Sequence, residues 1–430
     1  MTQTPLKRAV VLYPYLKNTL DMRAPKAKLD EAVALTKAID LNVTYFESVG
    51  LSEIKAPAYL GKGTIERLAD IISEHKPDVV IVACHLSPLQ QRNLEKLWQT
   101  KVIDKTALIL EIFGARARTK EGVLQVELAH LVYQRSRLVR SWTHLERQRG
   151  GAGFLGGPGE TQIELDRRLI DEEIVKIKKE LAQVKKTREL HRRARKRVPY
   201  PIVALVGYTN AGKSTLFNAL TKADVFAKDL LFATLDPTMR QLKLPSGQTV
   251  ILSDTVGFVS DLPTELVMAF RATLEEVAEA DLIVHVRDYA HPDSNAQKKD
   301  VENVLSDLGL KDRVDQGLIE VLNKIDLLES DEQQRVLTAK KRRENEWPVS
   351  AKTGQGLDQL LYKIQEDLSA SNTTVCLMIP VQDGATLARL YRGGCILERR
   401  DTESHIMVKA RLSERELSTF QHVICAKENV

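Results

Sequence analysis

The chain has 430 residues, 43% of them hydrophobic and 28% charged, which is typical of a globular protein with a sizeable core and room for several domains. Its net charge of +5 is mildly basic, so the distribution of charge is more informative than its sum. No apolar run reaches the length of a membrane span, no signal peptide opens the chain and the four cysteines are widely spaced, so we expect a cytoplasmic monomer with reduced thiols, with peripheral membrane association as the alternative.

Residues 1–117 have the alternating pattern of an N-terminal α/β domain. A helix is predicted at 29–38, between apolar runs that predict strands. Strands alternating with helices indicate a small, mostly parallel sheet. The predicted strands are Ala9–Tyr13, Asn42–Phe46, Val79–Ala83 and Ala107–Leu110.

Residues 118–198 predict a pair of long helices. Leucines spaced by three and four residues form a stripe from Leu124 to Leu145, with Arg135 as its one polar position, and a second stripe runs from Ile163 to Val184. Such heptad-like stripes on two segments joined by one reversal predict an antiparallel hairpin. Arms of about thirty residues would be roughly 45 Å long. The hairpin is either part of a bundle or a protruding arm that makes contacts at its tip.

The predicted tip, residues 149–162, combines glycines with arginines. It holds six glycines and one proline, and a basic stretch follows at 185–197. A run of charge is most often a solvated helix face, but a long arm with a glycine-rich basic tip favours contact with RNA phosphates, and an aromatic ring there could stack on a base. The candidate RNA-contacting residues are Arg149, Phe154, Gly157, Arg167 and Arg168.

Residues 199–369 open with a phosphate-binding motif. The apolar run Ile202–Val206 predicts a strand, the next eight residues fit the pattern G-x-x-x-x-G-K-[ST], and a predicted helix follows from Ser214. Glycines let successive backbone N–H groups face phosphates at the positive end of a helix. Lys213 would neutralise the phosphates, and the Ser214 hydroxyl would bind Mg²⁺. The predicted phosphate-binding residues are Gly207, Tyr208, Thr209, Asn210, Ala211, Gly212, Lys213, Ser214 and Thr215.

Two further segments predict contacts with the γ-phosphate and its metal. Asp254 ends a predicted strand and would hold Mg²⁺ through a water, while Gly257 leaves its backbone N–H free to approach the phosphate. Thr234, in the segment that precedes the strand predicted at 239–244, would reach Mg²⁺ from a mobile loop; Thr238 is the competing candidate. We therefore assign catalytic roles to Lys213, Thr234 and Gly257. The two segments comprise Phe232, Ala233, Thr234, Leu235 and Asp236, and Asp254, Thr255, Val256 and Gly257.

The last two segments indicate which base is bound. The Asp326 carboxylate can accept two hydrogen bonds from the N1 and N2 edge of guanine, which adenine cannot supply. The turn at Ser350 would place a backbone N–H near guanine O6. These segments favour GTP and GDP over ATP as ligands. They comprise Asn323, Lys324, Ile325 and Asp326, and Ser350, Ala351 and Lys352.

Residues 370–430 predict a small C-terminal α/β domain. Strands are expected at Val375–Ile379 and Ile406–Ala410, and helices at 384–392 and 413–422. The predicted fold class is therefore α/β: an N-terminal α/β domain with a long antiparallel helical hairpin, a P-loop nucleotide domain with a mostly parallel sheet, and this small domain.

The chain resembles the HflX-type GTPases in three places. These are Tyr59–Gly63, Gly156–Arg168 and Asp254–Phe258, and the similarity follows the domain order of that family along essentially the whole chain. The resemblance implies a GTPase that binds the large (50S) ribosomal subunit, is stimulated by it, and splits or rescues stalled ribosomes. It also implies that the glycine-rich tip reaches ribosomal RNA in the peptidyl-transferase region.

Two residues bear on catalysis. Ras-like enzymes orient water with a glutamine directly after the Asp-x-x-Gly segment, and this chain has Phe258 there, so slow intrinsic turnover is expected. Asn210 resembles the asparagine with which related GTPases use K⁺, although it could equally serve only to stabilise the loop. The alternatives to a ribosome-splitting GTPase are a ribosome-biogenesis GTPase, an ATP- or GTP-dependent RNA remodeller, and a scaffold that binds GTP without using it.

Overall fold

The computed structural model forms two compact units. One comprises Met1–Thr187 together with Lys228–Asp236 and Phe258–Ala272, and the other comprises Arg188–Ala227, Pro237–Gly257 and Thr273–Val430. In the described part of the chain, no helix is long and apolar enough to cross a membrane. The structure describes residues 6–18, 23–148, 158–195, 200–222, 232, 238–260, 271–339, 345–370, 373–393, 396–412, 417 and 420–428.

The first unit contains a parallel sheet of four strands in the order β2-β1-β3-β4. Its central strands β1 and β3 are almost entirely apolar, because helices cover a parallel sheet on its faces. The strands predicted near residues 9, 42 and 79 are thereby confirmed, and so is the first helix. The strands are β1 (Arg8–Leu16), β2 (Asn42–Leu51), β3 (Val79–Val82) and β4 (Lys101–Asp104), and the helices between them are α1 (Pro25–Lys37), α2 (Lys62–His75) and α3 (Pro88–Trp98).

The prediction of a strand at Ala107–Leu110 is wrong. These residues lie in helix α4 (Lys105–Arg116), and the fourth strand is β4 just before it. The Asp104 side chain accepts a hydrogen bond from the backbone N–H of Ala107 at 2.9 Å and so caps the helix. A short apolar run that is buried on all sides has no periodicity that separates a strand from a helix.

The two long helices form an antiparallel hairpin. Helix α5 spans Lys120–Gln148 and α6 spans Pro158–Arg195. Leu124 packs with Ile177 and Leu181 in one apolar cluster, as the predicted stripes require. The polar position in the stripe is explained, because Arg135 forms an ion pair with Asp171 of the opposite helix at 3.0 Å.

Two short segments from later in the chain pack within the first unit. The Phe232 ring is 2% exposed and meets Phe113 of α4 edge to face, with ring centroids 4.7 Å apart. The Ser260 hydroxyl donates to Glu31 of α1 at 2.8 Å and accepts from Lys105 at 2.8 Å, and Lys105 also pairs with Glu31 at 3.0 Å. Phe232 and Ser260 are therefore each held by specific side-chain contacts.

The second unit contains a six-stranded sheet in the order β10-β9-β8-β5-β7-β6. Only β6 runs antiparallel, to β7, so the predicted mostly parallel sheet is confirmed. The strands are β5 (Ile202–Gly207), β6 (Thr238–Lys243), β7 (Thr249–Asp254), β8 (Leu282–Asp288), β9 (Ile319–Asn323) and β10 (Glu346–Pro348). The helices are α7 (Lys213–Thr221), α8 (Arg271–Ala278), α9 (Ser294–Leu305), α10 (Lys311–Gln316), α11 (Ser330–Ala339) and α12 (Leu357–Ala370).

The same unit ends in an antiparallel sheet with the order β12-β13-β11-β14. The two predicted strands and the helix at 384–392 are confirmed. Most of the helix predicted at 413–422 lies outside the described residues, and Gln421–Val423 forms a 3₁₀ turn. The elements are β11 (Thr373–Pro380), α13 (Gly384–Gly393), β12 (Ile396–Asp401), β13 (His405–Leu412) and β14 (Ile424–Glu428).

Candidate functional site

The phosphate loop joins the end of β5 to the start of α7. Its first and last glycines are required by geometry, because Gly207 has φ 154° and Gly212 has φ 89°, where other residues are strained. A side chain at Gly207 would clash with the carbonyl oxygen of Val286, and one at Gly212 would clash with the Asn323 amide. The backbone of the loop is therefore packed closely against β8 and the end of β9.

Lys213 is the first residue of α7 and is 6% exposed. Its Nζ donates to the carbonyl oxygens of Gly207 at 3.1 Å and Tyr208 at 2.9 Å. Burial lowers the pKa of this ammonium from 10.5 to about 8, and the carboxylate of Asp254 opposes that shift. A buried ammonium at the start of a helix is well suited to an anionic ligand, which would restore its ordinary pKa.

Ser214 and Asp254 bring two hard oxygen ligands together. The Ser214 hydroxyl donates to Oδ2 of Asp254 at 2.7 Å, and Asp254 is fully buried at the end of β7. Mg²⁺ is commonly held by one or two protein oxygens, with phosphates and waters completing its shell. The pair fits this ion, and in the described residues no cluster of three or more His, Cys, Asp or Glu side chains offers another metal site.

Gly257 lies directly over the phosphate loop. A Cβ at this position would lie 2.8 Å from Cα of Thr209 and 3.1 Å from Nζ of Lys213, so only glycine fits without a shift. The preceding Thr255 is anchored by its hydroxyl, which donates to the carbonyl oxygen of Leu205 at 2.6 Å. Phe258 follows with its ring buried, 2% exposed. The position after Gly257 therefore offers no side chain that could orient water.

Asn323 ties three loops together. Its amide nitrogen donates to the carbonyl oxygen of Ala211 in the phosphate loop at 2.8 Å, and its amide oxygen accepts from the backbone N–H of Ala351 at 3.0 Å. The Ser350 hydroxyl donates to Oδ1 of Asp326 at 2.6 Å. The carboxylate predicted to read the base is thus oriented by a neighbouring loop, which preorganises it for a ligand.

The structure brings most of the predicted nucleotide-binding residues together at the carboxyl ends of β5, β7 and β9. Thr215 lies in the first turn of α7, Val256 and Ile325 are buried, and Asn210 and Lys352 are exposed. Phe232 lies in the first unit. Ala233, Thr234, Leu235 and Asp236 lie outside the described residues, so the third predicted metal ligand has no described position.

Sequence reasoning missed two partners of the predicted base-reading segment, residues 323–326. One is the Ser350 side chain, because the sequence pattern assigns a role only to the backbone of that turn. The other is Asp288 at the end of β8, whose Oδ2 accepts a hydrogen bond from Nζ of Lys324 at 2.8 Å. The available signal was an acidic residue at the carboxyl end of an apolar strand, Leu282–Val286, which precedes the strand that leads to Asn323.

The candidate RNA-contacting residues are only partly described. Arg149, Phe154 and Gly157 lie outside the described residues. The side chains of Arg167 and Arg168 on α6 are 57% and 81% exposed and pair with Asp171 and Glu172 one turn along the helix. Exposed pairs of this kind contribute little to stability, so both guanidinium groups are accessible to other anions.

Comparison with known proteins agrees with this description. Four family models match in chain order: "GTP-binding GTPase N-terminal" at 26–114, "GTP-binding GTPase Middle Region" at 116–195, "50S ribosome-binding GTPase" at 202–324 and "HflX C-terminal domain" at 335–428. The chain is 47% identical to the GTPase HflX of Magnetococcus marinus over 96% of this chain and 94% of that one. It is 43% identical to the GTPase HflX of Escherichia coli over 90% and 88% of the two chains.

The fold and the phosphate loop define a P-loop GTPase, an enzyme that hydrolyses GTP. Among solved structures, the chain is also similar to that titled "crystal structure of SsGBP and GDP complex", with a TM-score of 0.49 and 24% identity over 85% of this chain and 99% of that one. The identity to curated relatives over nearly the whole chain is decisive, and the chain belongs to the HflX family of GTPases.

Proposed function

We propose that this GTPase binds the large ribosomal subunit in its GTP state, splits or recycles stalled ribosomes, and is released after hydrolysis. The observation that carries the proposal is a preorganised GTP pocket with a buried phenylalanine, Phe258, at the position that would orient water. Such a pocket binds nucleotide but hydrolyses it slowly until a partner supplies the missing group. The match of residues 202–324 to a family described as 50S ribosome-binding supports a ribosomal partner.

In the proposed reaction the pocket residues bind and orient GTP. Lys213 neutralises the β- and γ-phosphates, the backbone N–H of Gly257 approaches the γ-phosphate, and Asp326 accepts from the guanine edge. Ser214 and Asp254 would hold Mg²⁺, with Thr234 as its proposed third ligand, and the bound ion would supply neutralisation of phosphate charge. These roles require loops that are already ordered without ligand, and the hydrogen bonds of Asn323 and Ser350 provide that order.

The contacts of Phe232 and Ser260 within the first unit support a switch. Phe232 lies two residues before Thr234, and Ser260 lies three residues after Gly257. Movement of Thr234 or Gly257 towards a γ-phosphate would pull on the Phe113 contact and on the bonds with Glu31 and Lys105. The state of the nucleotide would thereby change the unit that carries the helical hairpin, which is the part proposed to touch RNA.

Sedimentation with purified large subunits tests the proposal. We expect the protein to pellet with subunits in the presence of a non-hydrolysable GTP analogue and to stay in the supernatant with GDP. Charge reversal at Arg167 and Arg168 should weaken pelleting more than the matched double reversal of Lys178 and Lys179 on the same helix. Absent or nucleotide-independent pelleting contradicts the switch, and subunit binding without splitting of intact ribosomes favours a role in biogenesis.

Two further features belong to the same proposal. We assign to Asn210 a role in hydrolysis assisted by K⁺; its φ of 59° also fits a purely conformational role, because asparagine tolerates this region. Equal rates of GTP hydrolysis in K⁺ and Na⁺ would leave Asn210 with the conformational role alone. A ribosomal partner is consistent with a protein of the cytoplasm, and we propose that it acts there as a monomer. Size-exclusion chromatography tests the monomer, and cell fractionation would reveal any peripheral association with membranes.

A further inference from the structure

The end of strand β8 holds a carboxylate that none of the predicted nucleotide-binding segments includes. Asp288 lies directly opposite Asn323 in the parallel ladder of β8 and β9. The backbone N–H of Tyr289 donates to the carbonyl oxygen of Asn323 at 3.0 Å, so the chain after β8 follows the base-reading segment closely. The carboxylate therefore stands beside that segment because of strand register.

The partner of this carboxylate is the second residue of the base-reading segment. Nζ of Lys324 donates to Oδ2 of Asp288 at 2.8 Å, and the two side chains are only 22% and 14% exposed. A charge-assisted bond in such a partly buried site is stronger than a surface ion pair. The ammonium end of Lys324 is therefore tethered even without a ligand.

The backbone end of Lys324 is fixed as well. The residue adopts a left-handed conformation, φ 66°, immediately after Asn323, which is bonded to the phosphate loop and to Ala351. A 3₁₀ turn carrying Asp326 follows at once. With both ends held, the aliphatic stem of Lys324 spans a fixed path two residues before Asp326 in the chain. Such a stem can cover apolar surface while its charge is satisfied elsewhere.

We propose that Asp288 is a positioning residue for nucleotide binding, which holds Lys324 so that its aliphatic stem forms a wall of the guanine site. Asp288 itself does not touch the nucleotide. It acts through Lys324, and it completes a set in which every polar residue of the base-reading segment is bonded within the protein: Asn323 to Ala211 and Ala351, Lys324 to Asp288, and Asp326 to Ser350. The inference rests on the assignment of this pocket to guanine nucleotides.

The experiment measures release of fluorescent mant-GDP by stopped flow from the full chain. Asp288→Ala should release mant-GDP about ten-fold faster, the scale of a lost hydrogen bond to a charged group. Lys324→Met should have a similar effect, and the double variant should be no faster than the faster single variant, because both changes break the same link. Asp288→Asn keeps a hydrogen-bond acceptor and should give an intermediate rate.

The matched control is Asp293→Ala. Asp293 lies in the same connection, before α9, and makes no side-chain capping bond, so its release rate should stay within about two-fold of the parent chain. The preference for mant-GDP over mant-IDP separates positioning from base reading. It should be unchanged in Asp288→Ala and reduced in Asp326→Asn, because only Asp326 contacts the exocyclic amine that inosine lacks.

The inference is overturned if Asp288→Ala releases mant-GDP at the parent rate or more slowly, or if the effects of Asp288→Ala and Lys324→Met multiply in the double variant. A fall in the thermal stability of nucleotide-free Asp288→Asn together with a parent-like release rate would assign the bond a structural role only. Failure of the pocket assignment gives a different result: the Lys213→Met and Asp326→Asn variants would then both bind mant-GDP as well as the parent chain does.

Discussion

The buried ammonium of Lys213 predicts that nucleotide binding takes up a proton in mildly alkaline solution. Without ligand, burial holds its pKa at about 8, against an ordinary value of 10.5. Phosphates of a bound nucleotide would raise that pKa again, because an opposite charge favours the charged form. Between pH 8 and 10.5 the amine is largely neutral in the empty pocket and becomes protonated when GDP or GTP binds.

The sign of the effect on folding follows from the same pKa. A lysine with a lowered folded-state pKa costs stability wherever it is forced to stay charged, so the cost is fully present below pH 8 and disappears as the pH rises to 10.5. A shift of this size corresponds to roughly 3 kcal/mol. The same free energy should be recovered on nucleotide binding at neutral pH, and the affinity should fall by about ten-fold per pH unit above pH 8.

Calorimetric titration with GDP in buffers of different ionisation enthalpy measures the proton uptake directly. We expect close to no uptake through Lys213 at pH 7 and a substantial fraction of one proton at pH 9. Lys213→Met should stabilise the nucleotide-free protein, and whatever GDP binding the variant retains at high ligand concentration should proceed without that uptake. Lys222→Met, at the exposed opposite end of α7, serves as the control. Uptake that is absent at pH 9, or that persists in Lys213→Met, would refute the reasoning.

Three further substitutions test other parts of the pocket and its sheet. Gly257→Ala places a methyl group 2.8 Å from Cα of Thr209, and we expect GTP hydrolysis to fall by up to about a hundred-fold with far less effect on GDP binding; equal losses of both would contradict this. Asp326→Asn should exchange the preference for guanine nucleotides for xanthine nucleotides in competition binding, and retained GTP preference would remove Asp326 from base reading. His285 is buried in β8, and burial lowers its pKa from 6.5 to about 3, with Glu320 opposing the shift and Arg287, Lys298 and Lys213 adding to it. The free energy of unfolding should therefore fall as the pH drops from 6.5 towards 3, by up to about 1.4 kcal/mol per pH unit. Urea unfolding at pH 6.5 and 4.5 should show that the free energy of unfolding decreases less in His285→Leu than in the parent chain. An identical decrease would show that the imidazole ring does not matter.

The sequence was sufficient for those parts of the site that depend on local patterns. The phosphate loop, Asp254 and Asn323 each follow an apolar strand, and the carboxyl ends of parallel strands meet at one edge of a sheet. It was insufficient where the local pattern is ambiguous. Ala107–Leu110 is apolar throughout, and only the folded structure, in which the Asp104 side chain caps the first turn, shows that it is helical.

Hydrogen-bond partners that depend on how strands and loops are aligned in space could not be predicted from the sequence either. The bond between Asp288 and Lys324 exists because β8 and β9 pair with Asp288 opposite Asn323. The bond between Ser350 and Asp326 depends on where the loop after β10 lies beside the 3₁₀ turn. Neither residue spacing nor composition determines these positions, which are set by packing of the whole sheet.

The proposed pocket is an incomplete catalyst, because Phe258 is buried at the position that would orient water. The most direct test is the single-turnover rate of GTP hydrolysis with and without purified large ribosomal subunits. We predict slow hydrolysis by the protein alone and an acceleration well above ten-fold when subunits are added, as for GTPases completed in trans. Equal rates in the two conditions would contradict the account.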